Sequence, residues 1–169
     1  MSLEVGIKGT CTVTADESNS AKTMGSGTLD VFATPAMIAL MEKTAWTSVA
    51  PYLEAGEGTV GIHLDISHDA PTPLGMTITC ESELVEIDGR KLVFSVSAKD
   101  EKGTVIGRGT HERFVILEEK FQEKASEYAA QMGSTDVDAF ISQYGKSTIM
   151  ASILQDEAVE ILEKNAVVK

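Results

Sequence analysis

The side chain that stands out chemically is a single carboxylate in the most apolar helical segment of the chain, residues 31–53. Ile38, Ala45 and Val49 recur there at helical spacing, and Glu42 completes the series between Ile38 and Ala45. Burying an ionised carboxylate without partners costs at least several kcal/mol. Glu42 therefore either lies at the edge of the apolar stripe beside a cation, or serves as a general base or nucleophile.

A histidine on the next predicted strand, His68, is the second candidate for chemistry. The inward-facing row that it continues comprises Val60, Ile62, Leu64 and Ile66. Because His titrates near neutral pH, His68 could shuttle a proton or polarise a carbonyl. Its alternative role is a structural hydrogen bond to the proline-containing loop that follows. His63 has the opposite parity and His111 lies inside a later strand, so the pattern favours His68.

The third candidate, Thr34, stands where the helix begins. Thr34 followed by Pro35 is a typical start, with Thr as the N-cap and Pro as the first helical residue. The free N–H groups of a helix N-terminus also suit an oxygen that gathers negative charge. Eight helical residues separate Thr34 from Glu42 by about 12 Å along the axis. We therefore expect Thr34 to orient Glu42 or the substrate from outside the helix.

A helix packed on a sheet must position these side chains. Alternating residues predict strands over 5–14, 60–69, 76–87, 91–99 and 104–117. The Asp88-Gly89 pair predicts a hairpin, and Gly107 and Gly109 indicate a bulge or a close backbone approach. The polar segment 15–30 is long enough to be a functional loop. One long helix against a five-stranded antiparallel sheet is an α+β fold.

Composition narrows the class of protein further. The chain has 169 residues, is 43% hydrophobic and carries a net charge of −12, which suits one domain and disfavours nucleic acid or a membrane as partner. It contains no run of about 20 apolar residues that could span a bilayer, and we expect a cytoplasmic protein. Its two cysteines, Cys11 and Cys80, are expected to be buried free thiols.

The last third of the chain changes character. Helical patterns cover residues 118–132, 136–144 and 147–164, and the first two end at Gly133 and Gly145. We divide the chain into a core domain, 1–119, and a helical C-terminal extension, 120–169, packed on the same domain or on a dimer. The extension could instead roof the substrate tunnel or dock a partner.

Four segments of the chain resemble one known family. They are VFATPAMIALME, APYLEAGEGTVG, SHDAPTPLG and GTHER, and the resemblance spans roughly residues 5–125. The chain resembles the fluoroacetyl-CoA thioesterase-like family of hotdog-fold proteins, in which a five-stranded antiparallel sheet wraps around a long central helix. The resemblance implies Thr34, Glu42 and His68 as catalytic residues. It implies substrate-binding roles for Gly61 and Arg113, to which we add Phe32, just before the helix.

The resemblance also implies an activity and its partners. It implies hydrolysis of a short or small acyl-CoA thioester by a homodimer or a tetramer, with no metal and no bound cofactor other than the CoA of the substrate. The segment 24–30 lacks the lid aromatics of the family's namesake, so the resemblance does not specify fluoroacetyl. Two alternatives stay open: a non-catalytic acyl-CoA-binding or regulatory module, and a hotdog hydratase or dehydratase.

Overall fold

One face of an antiparallel sheet packs against a long helix, and further helices cover part of its other face. The computed structural model describes residues 2–165 of the chain, with side chains for residues 2–153, 155 and 156. Its elements are β1 (Lys8–Thr14), α1 (Thr34–Val49), β2 (Glu57–His68), β3 (Thr77–Asp88), β4 (Lys91–Asp100), β5 (Val105–Leu117), α2 (Glu118–Gln131), α3 (Val137–Tyr144) and α4 (Lys146–Asn165). Two short 3₁₀ helices, Glu17–Asn19 and Ala50–Tyr52, complete the set.

The described residues form a five-stranded sheet in the order β1-β3-β4-β5-β2, with antiparallel neighbours throughout. The predicted hairpin is confirmed, because Asp88 pairs with Lys91 and Gly89 adopts a φ of +57° that favours glycine. The order makes β1 and β2 the edge strands. The α+β arrangement expected from the sequence is therefore the observed one.

The buried face of α1 differs from the predicted stripe by about one residue. Its buried side chains are Met37, Leu40, Met41, Thr44, Ala45 and Val49. Ile38 and Glu42 are only half-buried and flank this face, so the predicted place of Ile38 in the stripe is wrong and Glu42 lies at the edge of the stripe, one of the two alternatives expected for it. The buried Thr44 hydroxyl donates to the Leu40 carbonyl at 2.7 Å and thus needs no partner from the sheet. Because Glu42 is half-buried at the edge of this face, it lies beside the core and not in it.

The start of α1 also differs from prediction. Ala33 is the N-cap residue, in extended conformation, and Thr34 and Pro35 are the first two helical residues. The buried Phe32 fixes the entry of the chain, since its N–H donates to the Thr72 carbonyl at 2.8 Å. The prediction of Thr34 as N-cap is therefore wrong, and its hydroxyl is available to another partner.

A β-bulge in β2 reverses its side-chain alternation. The register with β5 shifts between Gly61 and His63, which leaves Ile62 as the extra residue. Before the bulge, Val60 packs in the apolar cluster on the outer face of the sheet, whereas beyond it Ile66 packs against the core under α1. The predicted single inward row from Val60 to His68 is therefore wrong at its start, and Gly61 faces α1 instead.

The two glycines of β5 lie against neighbouring atoms, as predicted. A Cβ on Gly107 would lie 2.5 Å from Met37 Sδ, and one on Gly109 would lie 1.9 Å from the Asp65 carbonyl oxygen. The register with β4 shifts beside Gly107, between Ala98 and Lys99. A close backbone approach and a bulge thus occur together at this point.

Replacing Gly109 by Ala is expected to destabilise the fold by about 3 kcal/mol, because the overlap with backbone atoms of β2 cannot relax by a rotamer change. Urea unfolding measures the loss. Gly75→Ala is the matched control, since Gly75 also has a positive φ, +91°, but no atom within 4 Å of an added Cβ. Equal losses in both variants would show that backbone strain alone is responsible.

Helices α2, α3 and α4 form a second apolar cluster on the outer face of the sheet. It is built from Val60, Ile116, Phe121, Ala125, Ala129, Phe140, Ile149, Met150 and Ile153. Asp136 caps α3 by accepting from the Ala139 N–H at 2.9 Å. No helix within residues 2–165 is long and apolar enough to cross a membrane. Residues 166–169 of the predicted extension lie outside the described residues.

The two cysteines lie on neighbouring strands and both are free thiols. Cys80 is buried, and this burial raises its pKa; Cys11, its register partner, is only half-buried. The prediction of buried free thiols is therefore right for Cys80 and only partly right for Cys11.

Candidate active site

Two of the three predicted catalytic residues meet where α1 begins and β2 ends. Thr34 Oγ1 and His68 Nδ1 are 2.7 Å apart, within hydrogen-bonding distance. His68 Nε2 is buried and has no hydrogen-bond partner in the described part of the chain. Both residues line a cavity of about 510 Å³, and Phe32 contributes to its wall. The rest of this wall comes from residues 21–31 and 69–71, including five residues of the polar segment 15–30.

The third predicted catalytic residue, Glu42, lies in a different cavity of about 480 Å³. Glu42 Oε2 is 3.4 Å from Arg113 NH1, and the Arg113 side chain is 6% exposed against 39% for Glu42. Gly61, also predicted for the site, lines the same cavity. The structure thus brings Glu42, Gly61 and Arg113 together and does not bring Glu42 to Thr34 and His68.

The Arg113 guanidinium is held on three sides. Its Nε donates to Thr59 Oγ1 at 2.9 Å and its NH2 to the Thr59 carbonyl at 2.8 Å. Its NH1 faces both Glu42 and His111 Nε2, the latter at 3.0 Å. Burial lowers the pKa of Arg113, and the Glu42 carboxylate opposes this shift. With so many donors satisfied, Arg113 is a fixed positive charge beside Glu42.

His111 belongs to this group although the sequence pattern favoured His68 alone. It is fully buried, and its Nδ1 is 3.1 Å from the His63 carbonyl oxygen. A carbonyl only accepts, so Nδ1 carries the proton and Nε2 accepts from Arg113. Burial lowers the pKa of His111, an effect that the His63 hydrogen bond opposes. The signal in the sequence is the spacing of His111 and Arg113, which places both on one face of a strand.

The absent side chain of Gly61 makes room for this group. A Cβ on Gly61 would lie 3.0 Å from His111 Cε1, 3.1 Å from Glu42 Oε2 and 3.6 Å from Arg113 NH1. Because β2 pairs Gly61 directly with Arg113, no other position on the strand could clear this space.

Replacing Gly61 by Ala is expected to lower the turnover number about tenfold or more, because the methyl group displaces Glu42 from Arg113. The free energy of unfolding should fall by about 1–3 kcal/mol. Turnover assays and thermal unfolding measure the two effects. Gly58→Ala on the same strand is the control, since its Cβ meets only the flexible Glu118 Oε2 at 3.3 Å. Wild-type turnover in the Gly61→Ala variant would show that Glu42 and Arg113 do not need the space that Gly61 leaves.

The C-terminal extension also reaches the Glu42 cavity. Lys146 and Ser147, at the start of α4, line it. Lys146 Nζ lies 3.1 Å from Glu118 Oε1 and 5.5 Å from the centroid of the Phe121 ring, which keeps the ammonium at the edge of the cavity. No local pattern in the sequence indicated this contact, because it depends on how three helices pack on the sheet.

Similar solved structures identify the fold of this domain. The chain matches a hot-dog-like protein from Thermanaerovibrio acidaminovorans with a TM-score of 0.68 and 24% identity, over 73% of this chain and 91% of that one. It also matches a point mutant of the fluoroacetyl-CoA-specific thioesterase FlK in complex with fluoroacetate and CoA, with a TM-score of 0.66 and 38% identity, over 70% and 99% of the two chains. The α+β domain is therefore a hotdog fold of the thioesterase class.

Sequence comparison assigns the family. The chain is 48% identical over 95 residues to the fluoroacetyl-CoA thioesterase of Streptantibioticus cattleyicolor, a match that covers 56% of this chain and 68% of that protein. The model of the family described as fluoroacetyl-CoA-specific thioesterase matches residues 15–119, and the chain belongs to this family. The resemblance inferred from the four sequence segments is confirmed. The match ends where α2 begins, so α2, α3 and α4 lie almost wholly outside it.

Proposed function

We propose that the protein hydrolyses a small acyl-CoA thioester to a free acid and CoA. Membership of the thioesterase family supports the reaction. The observation that carries it is the Thr34–His68 pair, 2.7 Å apart, which lines a cavity wide enough for a small acyl group. In the reaction a carbon–oxygen bond forms, the carbon–sulfur bond breaks and the departing sulfur takes a proton.

The proposed roles follow from what each side chain can reach. Glu42 acts as general base on water or as nucleophile on the thioester carbonyl, and Arg113 keeps its carboxylate charged and oriented. His68 shuttles the proton or polarises the carbonyl, and Thr34 fixes the imidazole ring through Nδ1. Gly61 and Phe32 shape the two cavity walls. No metal and no cofactor beyond the CoA of the substrate takes part in this scheme.

We propose further that a homodimer joins the two halves of the site. The outer side of edge strand β2 pairs with no other strand within residues 2–165. If two β2 strands pair antiparallel about a two-fold axis at Leu64, residue 61 of one lies opposite residue 67 of the other. The partner's His68 then lies beside Gly61 and Glu42. Such a pairing brings the Glu42 carboxylate to the Thr34–His68 pair, where the single chain offers only Asp69, which is paired with Arg108.

Complementation between inactive variants tests the shared site. Glu42→Gln and His68→Ala proteins are unfolded together, refolded as a mixture and assayed. Half of the dimers are then mixed, and one of their two sites has both wild-type residues, so about a quarter of wild-type activity should return. Each variant refolded alone should stay inactive. A mixture that also stays inactive would contradict the shared site while leaving the hydrolytic activity of the wild type intact.

The reaction itself is tested by thiol release from a panel of acyl-CoA thioesters. Acetyl-, fluoroacetyl-, propionyl- and butyryl-CoA bracket the expected acyl size, and the polar segment 24–30 specifies no single one of them. Hydration of an enoyl-CoA without thiol release would favour a hydratase. Saturable acyl-CoA binding without turnover would favour a regulatory module, with the extension as its interaction surface.

The assignment of two regions of the chain to different roles is also a proposal. Residues 1–119 are assigned to the catalytic domain, and residues 120–169 to a helical extension that packs on the same domain or on the dimer. The outer apolar cluster and the Lys146 contact with the Glu42 cavity support this division.

A further inference from the structure

We propose that His111 is a positioning residue that holds Glu42 in place through Arg113. This inference rests on the proposed function, because it assigns a role within the same site. It is carried by a continuous series of contacts: His63 carbonyl to His111 Nδ1 at 3.1 Å, His111 Nε2 to Arg113 NH1 at 3.0 Å, and Arg113 NH1 to Glu42 Oε2 at 3.4 Å.

The direction of these hydrogen bonds fixes the tautomer of His111. The His63 carbonyl requires a proton on Nδ1, which leaves the lone pair of Nε2 for a hydrogen of Arg113 NH1. The other NH1 hydrogen is then the one that faces Glu42. Burial of the ring, which favours its neutral form, supports this arrangement.

Removing the Nε2 acceptor would release NH1. Thr59 occupies Nε and NH2 of Arg113, so NH1 is the nitrogen that faces the carboxylate. A buried N–H without an acceptor is unfavourable, so we expect the guanidinium to turn toward another partner. His111 lines the Glu42 cavity, but both of its ring nitrogens are engaged with the protein, so the ring has no free nitrogen to offer a substrate. Its effect on the reaction must therefore pass through Arg113 and Glu42.

Two substitutions of His111 distinguish the hydrogen bond made by Nδ1 from the one made by Nε2. In His111→Asn, the amide N–H can take the place of Nδ1 and keep the bond to the His63 carbonyl, but no acceptor reaches Arg113. In His111→Gln, the longer side chain brings its carbonyl oxygen toward the Nε2 position and keeps the acceptor for Arg113. The turnover number should fall about 10–100-fold in the Asn variant and only about threefold in the Gln variant, with smaller changes in KM.

Three readouts test the inference. If turnover instead follows thermal stability in both variants, His111 is only a structural residue and the proposal is overturned. Combining His111→Asn with Glu42→Gln should add less than about twofold to the loss from Glu42→Gln alone, because both changes remove the same interaction. Full additivity would show that His111 does not act through Glu42.

The third readout does not depend on catalysis. Ring ¹⁵N chemical shifts of the wild-type protein should identify His111 as the Nδ1–H tautomer with an unprotonated Nε2. A proton on Nε2 would overturn the inference even in an active enzyme. Conversely, the expected tautomer in a protein that releases no thiol from any thioester would refute the proposed function and leave the His111–Arg113 contact standing.

Discussion

Replacing Glu42 by Gln lowers the turnover number for thioester hydrolysis by about 10³-fold, with a much smaller change in KM. Gln keeps the shape of the side chain, so the packing at the edge of α1 is preserved. It removes both the basic oxygen and the charge that Arg113 holds at 3.4 Å. General bases and nucleophiles contribute effects of about this size or larger. Steady-state thiol release with the best acyl-CoA of the panel measures the loss.

The control for this change is Glu83→Gln. Glu83 is also a partly exposed carboxylate in an ion pair, 3.5 Å from Lys8, but it lies on β3, away from both cavities. Its replacement should leave turnover unchanged, since an exposed ion pair contributes about 0–1 kcal/mol to stability and nothing to the site. Equal turnover in the Glu42→Gln and Glu83→Gln enzymes would remove Glu42 from the mechanism.

The contact between Glu42 and Arg113 also affects the stability of the fold. In Glu42→Gln the Arg113 charge, 6% exposed, loses its ionised partner but keeps its three bonds to Thr59 and His111. Because Glu42 itself is 39% exposed, water can replace much of the lost interaction. We therefore expect a change in the free energy of unfolding of about 1 kcal/mol or less, which separates the catalytic loss from any loss of fold.

The elements of the fold could be predicted from the sequence because their signals are local. The alternating segments and the Asp88-Gly89 turn define β3 and β4 to within one residue, and glycines mark where α2 and α3 end. Periodicity reports which residues share a face, and it needs no knowledge of the neighbouring element. The layout of one helix on five strands follows from these signals alone.

The faces of α1 and β2 could not be predicted with the same accuracy. A helix stripe defined by Ile38, Ala45 and Val49 is as regular as the observed one, and only packing on the sheet selects the face with Met37 and Met41. In β2 the bulge at Ile62 reverses the alternation, and a bulge is a property of the pairing with β5. Each error is a shift of one residue, yet each changes which side chains face the site.

The predicted site residues fall into two groups in the structure. Thr34 and His68 lie together, and Glu42, Gly61 and Arg113 lie together in a second cavity. The separation of about 12 Å expected between Thr34 and Glu42 along the helix agrees with this division, but the sequence carries no signal that assigns the other residues to one cavity or the other. The sequence does not mark His111 as a site residue, because a histidine between polar neighbours in a predicted strand carries no local signal of function. Its importance appears only when β5 and α1 bring Arg113 and Glu42 to it.

Replacing His68 by Ala lowers the turnover number by about 10²–10⁴-fold, the range for loss of a proton-transferring side chain. The imidazole has one nitrogen fixed by Thr34 and the other, Nε2, without a partner among the described residues, so no hydrogen bond within the described chain competes with a substrate for it. Thermal unfolding should change little, because the ring makes one hydrogen bond. Added imidazole should restore part of the activity if the loss is one of proton transfer, and no rescue would point to a packing role instead.

Variants of Thr34 test whether it acts only by orienting the His68 imidazole or takes part in the reaction itself. Thr34→Val keeps the shape but removes the hydroxyl 2.7 Å from Nδ1, and turnover should fall about tenfold, because His68 keeps its position on β2 but loses its preferred rotation and tautomer. Thr34→Ser keeps the hydroxyl and should retain most of the activity. The control on the same helix is Thr47→Val, whose hydroxyl donates to the Lys43 carbonyl at 2.7 Å and lies 3.8 Å from Cys11 Sγ, and which lines neither cavity. If Thr34→Val costs as much as His68→Ala, Thr34 takes part in bond formation directly, and its hydroxyl rather than Glu42 becomes the first candidate for the nucleophile.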